Sequence, residues 1–254
     1  MALEKPMIVA RSDLRMALQV KYVKFGLIGM AALGPVLSIL LVVGFMMAVP
    51  TEGAVLFLSP LVSSLLGMMS IIPASLISAN SLVGEKEQNT LEPLLCTPLT
   101  DTELLLGKLL GSFIPSSVLL IGGLIVTVIG SNLFLLMLGL PTILVPDLAG
   151  LFLLLTAAPV MMVAVVFTMI LISGRVKRVY EAYQTSGAVV MVFIIPMVLP
   201  MTSLSDSGFG DPVQLSNLIW LTNIVTLLIA VVLMLVSGVL ALKRFNRDRM
   251  ISRV

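Results

Sequence analysis

The sequence predicts an all-α membrane protein, and three observations support this prediction. Of the 254 residues, 59% are hydrophobic and only 11% are charged, whereas about a quarter of the residues of a soluble domain are charged. The hydrophobic residues form runs of about 20, long enough for a helix to cross a bilayer core of roughly 30 Å. The charged residues lie between these runs, so we expect a bundle of membrane-spanning helices joined by polar connections.

The first predicted element is the N-terminal segment Pro6–Phe25, which has helical spacing. Met7, Leu14 and Leu18 fall near one face of such a helix, and Arg15 falls opposite. This pattern is typical of an amphipathic helix that lies in the plane of the membrane interface and leads into the first span. The alternative is a basic flank that only orients the protein.

Six apolar runs follow, and each is predicted to be a span of one transmembrane domain that comprises residues 1–254. The spans are Gly26–Val49, Val55–Ser78, Leu104–Ile129, Leu151–Ile172, Thr185–Met201 and Asn217–Leu242. The fifth span is short and contains Pro196 and Pro200. Residues 132–150 and 196–215 therefore stay open as candidate re-entrant segments, since irregular backbone needs protein or water around it at membrane depth.

The distribution of charge orients these spans. All 15 lysines and arginines fall in the N-terminal segment, the loops 78–103 and 173–184, the C-terminal tail and, for Lys108, just inside the third span. The opposite connections contain Glu52, Asp147, Asp206 and Asp211 and no basic residue. Basic residues mark the cytoplasmic side. We therefore predict a multi-pass protein of the cell membrane with both termini in the cytoplasm.

Missing residue types argue against several functions. The chain has no histidine, so the histidine pairs of metalloproteases are absent. No charged residue lies in the middle of a predicted span, which argues against a proton-coupled carrier. The G-x-x-x-x-G-K-[ST] loop that binds nucleotide phosphates is also absent. We expect no catalytic activity and no cofactor in this chain, and no nucleic acid as its partner. If the protein moves a molecule across the membrane, the energy must come from elsewhere.

The loop between the second and third predicted spans is unusually charged. The stretch NSLVGEKEQNTLEPLLCTPLTDTELLLGKLL, residues 80–110, contains five acidic residues. A short helix is predicted that is capped by Asn89 or Thr90 and begins with Leu91 and Glu92. It ends at Thr97-Pro98 because the residue before a proline avoids helical geometry. Thr100-Asp101-Thr102-Glu103 then forms a capping box for the third span. Lys108 is expected to extend its amine to the inner membrane interface.

This loop resembles the signature loop of the membrane permeases of ATP-binding-cassette exporters of the ABC-2 type, which have the type V exporter fold. The matching motifs are Gly84-Glu85-Lys86-Glu87, Thr90-Leu91-Glu92-Pro93-Leu94-Leu95-Cys96-Thr97-Pro98 and Gly107-Lys108. Asn89 replaces the glycine that is usual in the family before the threonine. The basic stretch Ile172–Gly187 is similar to the second cytoplasmic loop of the same family.

The resemblance implies a permease subunit that pairs with a second copy or a paralogue and is driven by separate ABC ATPase subunits, which bind ATP and Mg²⁺. The coupling helix of this loop, residues 84–98, would dock on the ATPase. The implied ATPase-coupling residues are Glu85, Glu87, Thr90, Leu91, Glu92, Leu94, Leu95, Thr97 and Pro98. The implied second cytoplasmic contact consists of Arg175, Lys177, Arg178 and Glu181.

Serines on the second span are candidates for lining the substrate path between two permeases. The main candidates are Ser63, Ser64 and Ser70. The alternative is that these small residues allow close helix packing. Two other functions stay open, a carrier driven by an ion gradient and a membrane scaffold subunit. The substrate also stays open, although the uncharged spans favour an apolar or amphipathic molecule.

Overall fold

A computed structural model describes residues 4–50, 53–87, 100–173, 176, 178–207 and 212–244, and these residues form helices and short connections without a strand. Helix α1 covers Glu4–Gln19, α2 Lys21–Ala48, α3 Ala54–Glu87, α4 Asp101–Met137, α5 Leu148–Ser173, α6 Val179–Ser207 and α7 Pro212–Arg244. Helix α5 contains one π-helical stretch, Leu153–Ala157. The predicted all-α fold is confirmed.

Helices α2 to α7 are long and apolar enough to cross a membrane. Among the described residues these are six candidate spans, and their mean hydropathy lies between 1.9 and 2.9. A continuous helix pairs the backbone groups of a span internally, which lipid cannot do. The chain is therefore a multi-pass membrane protein.

Helix α6 continues through both prolines of the fifth predicted span. A proline at position 200 has no N–H to donate to the carbonyl of Pro196, four residues earlier. That carbonyl accepts a hydrogen bond instead from the Thr226 hydroxyl of α7, at 3.1 Å. A neighbouring hydroxyl thus satisfies the freed backbone group, as in other proline-containing spans.

The connection between α4 and α5 is irregular, but hydrogen bonds attach it to α4 at one point and to α3 and α5 at another. The Asn132 side chain of α4 accepts a hydrogen bond from the Ile143 N–H at 3.1 Å. Asp147 caps α5 by accepting from the Gly150 N–H at 2.9 Å, and the hydroxyl of Ser59 in α3 donates to the same carboxylate. These contacts fix the connection against the start of α3.

Helices α3 and α5 form the centre of the bundle. In the most apolar 18-residue stretch of each helix, 56% of the residues are buried in α3 and 50% in α5, compared with 22% in both α2 and α7. Helix α3 packs against α2, α4, α5 and α6. Because the chain alternates in direction, the end of α3 lies beside the starts of α2, α4 and α6. We call this side of the bundle the basic end, since the lysines and arginines of the described helices lie there.

Candidate functional site

Residues 88–99, which contain most of the predicted coupling helix, lie outside the described residues and connect the end of α3 to the start of α4, both at the basic end; we refer to them as the loop 88–99. The start of α4 is fixed by the capping box predicted from the sequence. The Thr100 hydroxyl accepts from the Glu103 N–H at 3.2 Å, and the Glu103 carboxylate accepts from the Thr100 N–H at 2.8 Å. This prediction is confirmed, and it defines where α4 begins.

A buried ion cluster joins the end of α3 to α1 and to the start of α4. The Lys108 Nζ donates to Glu85 at 2.9 Å and to the Ser81 hydroxyl at 3.0 Å, and it lies 3.4 Å from Asp13. The Ser81 hydroxyl donates to Asp13 at 2.6 Å. We call Asp13, Ser81, Glu85 and Lys108 the basic-end cluster.

The basic-end cluster is shielded from solvent. Lys108 is 1% exposed, Asp13 3%, Glu85 3% and Ser81 6%. The expectation that Lys108 extends its amine to the membrane interface is therefore wrong. Helix α1 covers this part of α4, and the two carboxylates and the hydroxyl replace the water that the ammonium group would otherwise bind. Charges without water require such partners.

Helix α1 has three faces, of which the sequence identified two. The predicted apolar face is turned outward, with Met7 51% and Leu18 42% exposed. The predicted polar face, which includes Arg15, is also exposed. The third face contains Asp13 and small or apolar residues and packs on α4. Its buried members are Pro6, Val9, Ala10, Asp13 and Ala17.

Two glycines of α4 allow this close packing. A Cβ atom at Gly107 would lie 2.7 Å from the Val9 Cβ and 3.0 Å from the Pro6 carbonyl oxygen. A Cβ atom at Gly111 would lie 3.3 Å from the Ala10 backbone and 3.3 Å from the Asp13 Cβ. The two glycines are four residues apart and lie on one face of α4, which is the usual spacing for close helix approach in membranes.

The chain bends between α1 and α2 at Val20. This residue has extended backbone angles, φ −75° and ψ 114°, so the predicted continuous helix Pro6–Phe25 is in fact two helices. The bend allows α1 to lie against α4 while α2 enters the bundle.

A second polar contact holds the end of α3 on its other side. The Tyr183 hydroxyl of α6 donates to the Asn80 side chain at 3.3 Å. The Tyr183 ring also packs against Tyr22 of α2, with ring centroids 5.0 Å apart. The last turns of α3 are thus connected to α1 and α4 on one side and to α2 and α6 on the other.

The structure describes only two of the nine predicted ATPase-coupling residues. Glu85 is buried in the basic-end cluster, so its carboxylate points into the protein. Glu87 is the last residue of α3. The rest of the predicted set lies outside the described residues: Thr90, Leu91, Glu92, Leu94, Leu95, Thr97 and Pro98. Docking through this loop stays a prediction.

The predicted second cytoplasmic contact is described in part. Arg178 and Glu181 are exposed at the start of α6. Arg175 and Lys177 lie outside the described residues. Arg178 and Glu181 lie five and two residues before Tyr183, which connects this helix to the end of α3.

The three candidate path serines are buried within a single chain. Ser63 donates to the Ser59 carbonyl at 2.6 Å, and Ser70 donates to the Gly67 carbonyl at 2.6 Å. Ser64 is buried too. Hydroxyls that bond back to their own helix are typical of close packing. Burial favours packing over path lining, and the latter stays a prediction.

A cleft of about 630 Å³ opens between α2, α3 and α6 at the basic end. Its walls are mostly apolar, with one lysine and several small or hydroxyl residues. The lining includes Lys21, Tyr22, Phe25, Met30, Ser75, Leu76, Ser186, Gly187 and Val190. Tyr22 and Phe25 are 62% and 68% exposed, so the cleft is open to the surroundings of the chain. Its chemistry suits a molecule with an apolar body and a polar or anionic group.

The sequence did not predict that Asp13, Ser81 and Lys108 lie together in one site. Asp13 lies on a face formed by Ala10 and Ala17, and Lys108 lies next to Gly107 on α4. A charged residue within a face of small residues is a signal for burial against another helix. The partner helix could not be read from the sequence, because residues 13, 85 and 108 are far apart along the chain.

Comparisons with known proteins agree with this architecture. The family model described as ABC-2 family transporter protein matches residues 16–204, well over half of the chain. The match covers α2 to α5, most of α6 and the loop 88–99. A search of curated proteins gives no match.

Proposed function

Since the chain belongs to the ABC-2 transporter family, we propose that it is the permease subunit of an ATP-driven exporter. It pairs with a second copy or a paralogous permease. Separate ABC ATPase subunits bind ATP and Mg²⁺ and dock on the loop between α3 and α4. The permease itself does no catalysis and supplies the substrate path.

The observation that carries this proposal is the family match over 16–204, which includes the loop and both of its flanking helices. The anchoring of the loop supports the proposal. A force on residues 88–99 reaches α3 and α4, whose adjoining turns are joined by the 2.9 Å contact of Lys108 with Glu85. A loosely attached loop would move without moving the spans.

The proposed mechanism requires two states of the permease pair. ATP binding closes the ATPase pair, which shifts the docked loop and favours the outward-open state over the inward-open state. ATP binding can do this only if the contacts of the ATPase with the loop differ between the two states. Glu87, Glu92 and the leucines of the coupling helix supply these contacts, and Arg178 and Glu181 supply the second contact.

We place the chain in the cell membrane with the basic end in the cytoplasm. The sorting of the lysines and arginines to this end supports the orientation. The cleft between α2, α3 and α6 then faces the inner half of the membrane, with Lys21 at its cytoplasmic side. We propose it as the entry of the path and an amphipathic molecule as the cargo.

The second candidate function is a carrier driven by an ion gradient. The buried charges favour it, because intramembrane charges often mark ion sites. Such carriers bind ions near the membrane midplane. Here Glu85 lies two residues before the end of α3, and Lys108 lies seven residues after the start of α4. The cluster thus lies at one end of the bundle, next to the loop, which favours coupling over ion transport.

We predict that the tagged chain co-purifies with a soluble ATPase and that Glu87→Lys with Glu92→Lys lowers the captured ATPase by roughly tenfold or more. Reversed charge at a docking surface opposes association. The matched control is Lys24→Glu with Lys243→Glu, which reverses two charges at the same end but outside the loop. Quantitative immunoblots of the purified complexes measure the result. Equal capture by both double variants would contradict docking through this loop.

A second prediction concerns the cleft. Gly187 borders it and has no atom within 4 Å of a Cβ built on it, so Gly187→Cys fits without strain. The variant also carries Cys96→Ala, so that the thiol at position 187 is the only one in the chain. We expect the rate at which a water-soluble maleimide labels this thiol to change about fivefold when the ATPase and ATP are added, because the population of open clefts shifts. Lys24→Cys, at an exposed position of the same end that does not line the cleft, serves as the control. An unchanged rate at position 187 would contradict a path through this cleft.

A further inference from the structure

The proposed function uses only the Lys108–Glu85 contact of the basic-end cluster and gives no role to Asp13 and Ser81. The cluster joins three helices through one lysine: α1 by Asp13, α3 by Ser81 and Glu85, and α4 by Lys108 itself. Helix α1 lies outside the path and outside the loop. Its connection to both sides of the loop therefore needs a separate explanation.

The cluster is sensitive to small displacements. All four side chains are at most 6% exposed, so no water replaces a lost contact. Separation of Lys108 from either carboxylate would leave a charge in a medium of low dielectric constant without its partner. The three helices therefore keep their relative positions at the cluster more firmly than apolar packing alone would enforce.

The packing of α1 on α4 supports the same conclusion. Gly107 and Gly111 flank Lys108 on α4 and bring the α1 backbone within contact distance. Apolar packing on glycines would allow α1 to slide along the axis of α4, whereas a hydrogen-bonded ion cluster defines one register of the two helices. Asp13, whose Cβ takes part in the Gly111 contact, bonds to the cluster of Lys108, which lies between the two glycines on α4, and this fixes the register.

We propose that Asp13, Ser81, Glu85 and Lys108 are positioning residues that hold α1 and both sides of the loop 88–99 as one rigid unit. A displacement of the loop is then passed to α1 as well as to α3 and α4, so that the amphipathic helix moves with the coupling loop. This inference rests on the proposed function, since the displacement comes from a docked ATPase.

The experiment compares hydrogen–deuterium exchange of the permease in lipid nanodiscs with and without its ATPase. In the unaltered chain, we expect the ATPase to slow exchange in residues 84–107 and also in α1, each by about fivefold. In Lys108→Met, the ATPase should still bind and slow exchange in the loop, but exchange in α1 should no longer respond. Lys24→Met, the same substitution at an exposed lysine, should behave as the unaltered chain.

Two more variants separate positioning from a general loss of structure. Lys108→Arg retains the charge and should restore at least part of the response in α1. Ser81→Ala removes only the hydroxyl that contacts both Asp13 and Lys108, and it should weaken the response of α1. This variant tests the inference if Lys108→Met does not fold. A response of α1 that is equal in Lys108→Met and in the unaltered chain would overturn the inference. Failure of the unaltered chain to bind an ATPase would instead contradict the proposed function.

Discussion

Glu85→Lys is expected to be strongly destabilising, although it changes a residue of a charged loop motif. Glu85 is 3% exposed and bonds to Lys108 at 2.9 Å. A lysine at this position would place two ammonium groups together in a buried site. Loss of one partner of a buried ion pair costs about 3–5 kcal/mol, and here repulsion is added. We expect the unfolding midpoint in detergent to fall by about 10 °C.

The matched control for this variant is Arg11→Glu. Arg11 lies on α1 near the same cluster, but its side chain is exposed. Charge reversal at an exposed site changes stability by less than about 1 kcal/mol. Thermal unfolding followed by size-exclusion chromatography compares the two variants. Similar midpoints for both would mean that Glu85 does not contribute to a buried ion pair.

This expectation changes how ATPase docking must be tested. From the sequence, Glu85 and Glu87 look equivalent, because both belong to the motif Gly84-Glu85-Lys86-Glu87. The Glu85 carboxylate, however, is buried against α1 and α4 in the basic-end cluster. Loss of ATPase capture by Glu85→Lys would therefore follow from unfolding as well as from lost docking. The docking test therefore uses Glu87 and Glu92, which are not members of the basic-end cluster.

The sequence predicted those features that depend on neighbouring residues. Runs of about 20 apolar residues require helices in lipid, and six such helices are present among the described residues. The capping box at Thr100 and Glu103 depends on residues only three positions apart, so it was visible in the sequence. The continuity of α6 was not predicted, because the hydroxyl that satisfies the Pro196 carbonyl comes from Thr226 on another helix.

The candidate site was predicted less completely because its geometry is tertiary. The apolar and polar faces of α1 follow from helical periodicity, but the face that packs on α4 is defined by small residues that have no strong hydropathy signal. The burial of Lys108 follows from that packing and could not be derived without it. Likewise, a row of serines fits path lining and helix packing equally well from the sequence, and only the burial of Ser63, Ser64 and Ser70 favours packing.

Gly107→Leu is expected to separate α1 from α4. Even the first side-chain atom would lie 2.7 Å from the Val9 Cβ and 3.0 Å from the Pro6 carbonyl oxygen. The second of these atoms belongs to the backbone, so no side-chain rotation relieves the clash. Overpacking of this kind costs about 1–3 kcal/mol. Displacement of α1 would also remove Asp13 from Lys108, which adds the cost of a broken buried ion pair.

The measurements for this variant are thermal unfolding and hydrogen–deuterium exchange of α1. We expect faster exchange throughout Glu4–Gln19 and an unfolding midpoint that is lower by about 10 °C. Gly122→Leu is the control, because Gly122 lies on the same helix and a Cβ there has no atom within 4 Å. Gly107→Ala should give a smaller change in the same direction. If leucine at 107 and at 122 had equal effects on α1, the close contact between α1 and α4 would be contradicted, and the buried position of Lys108 with it.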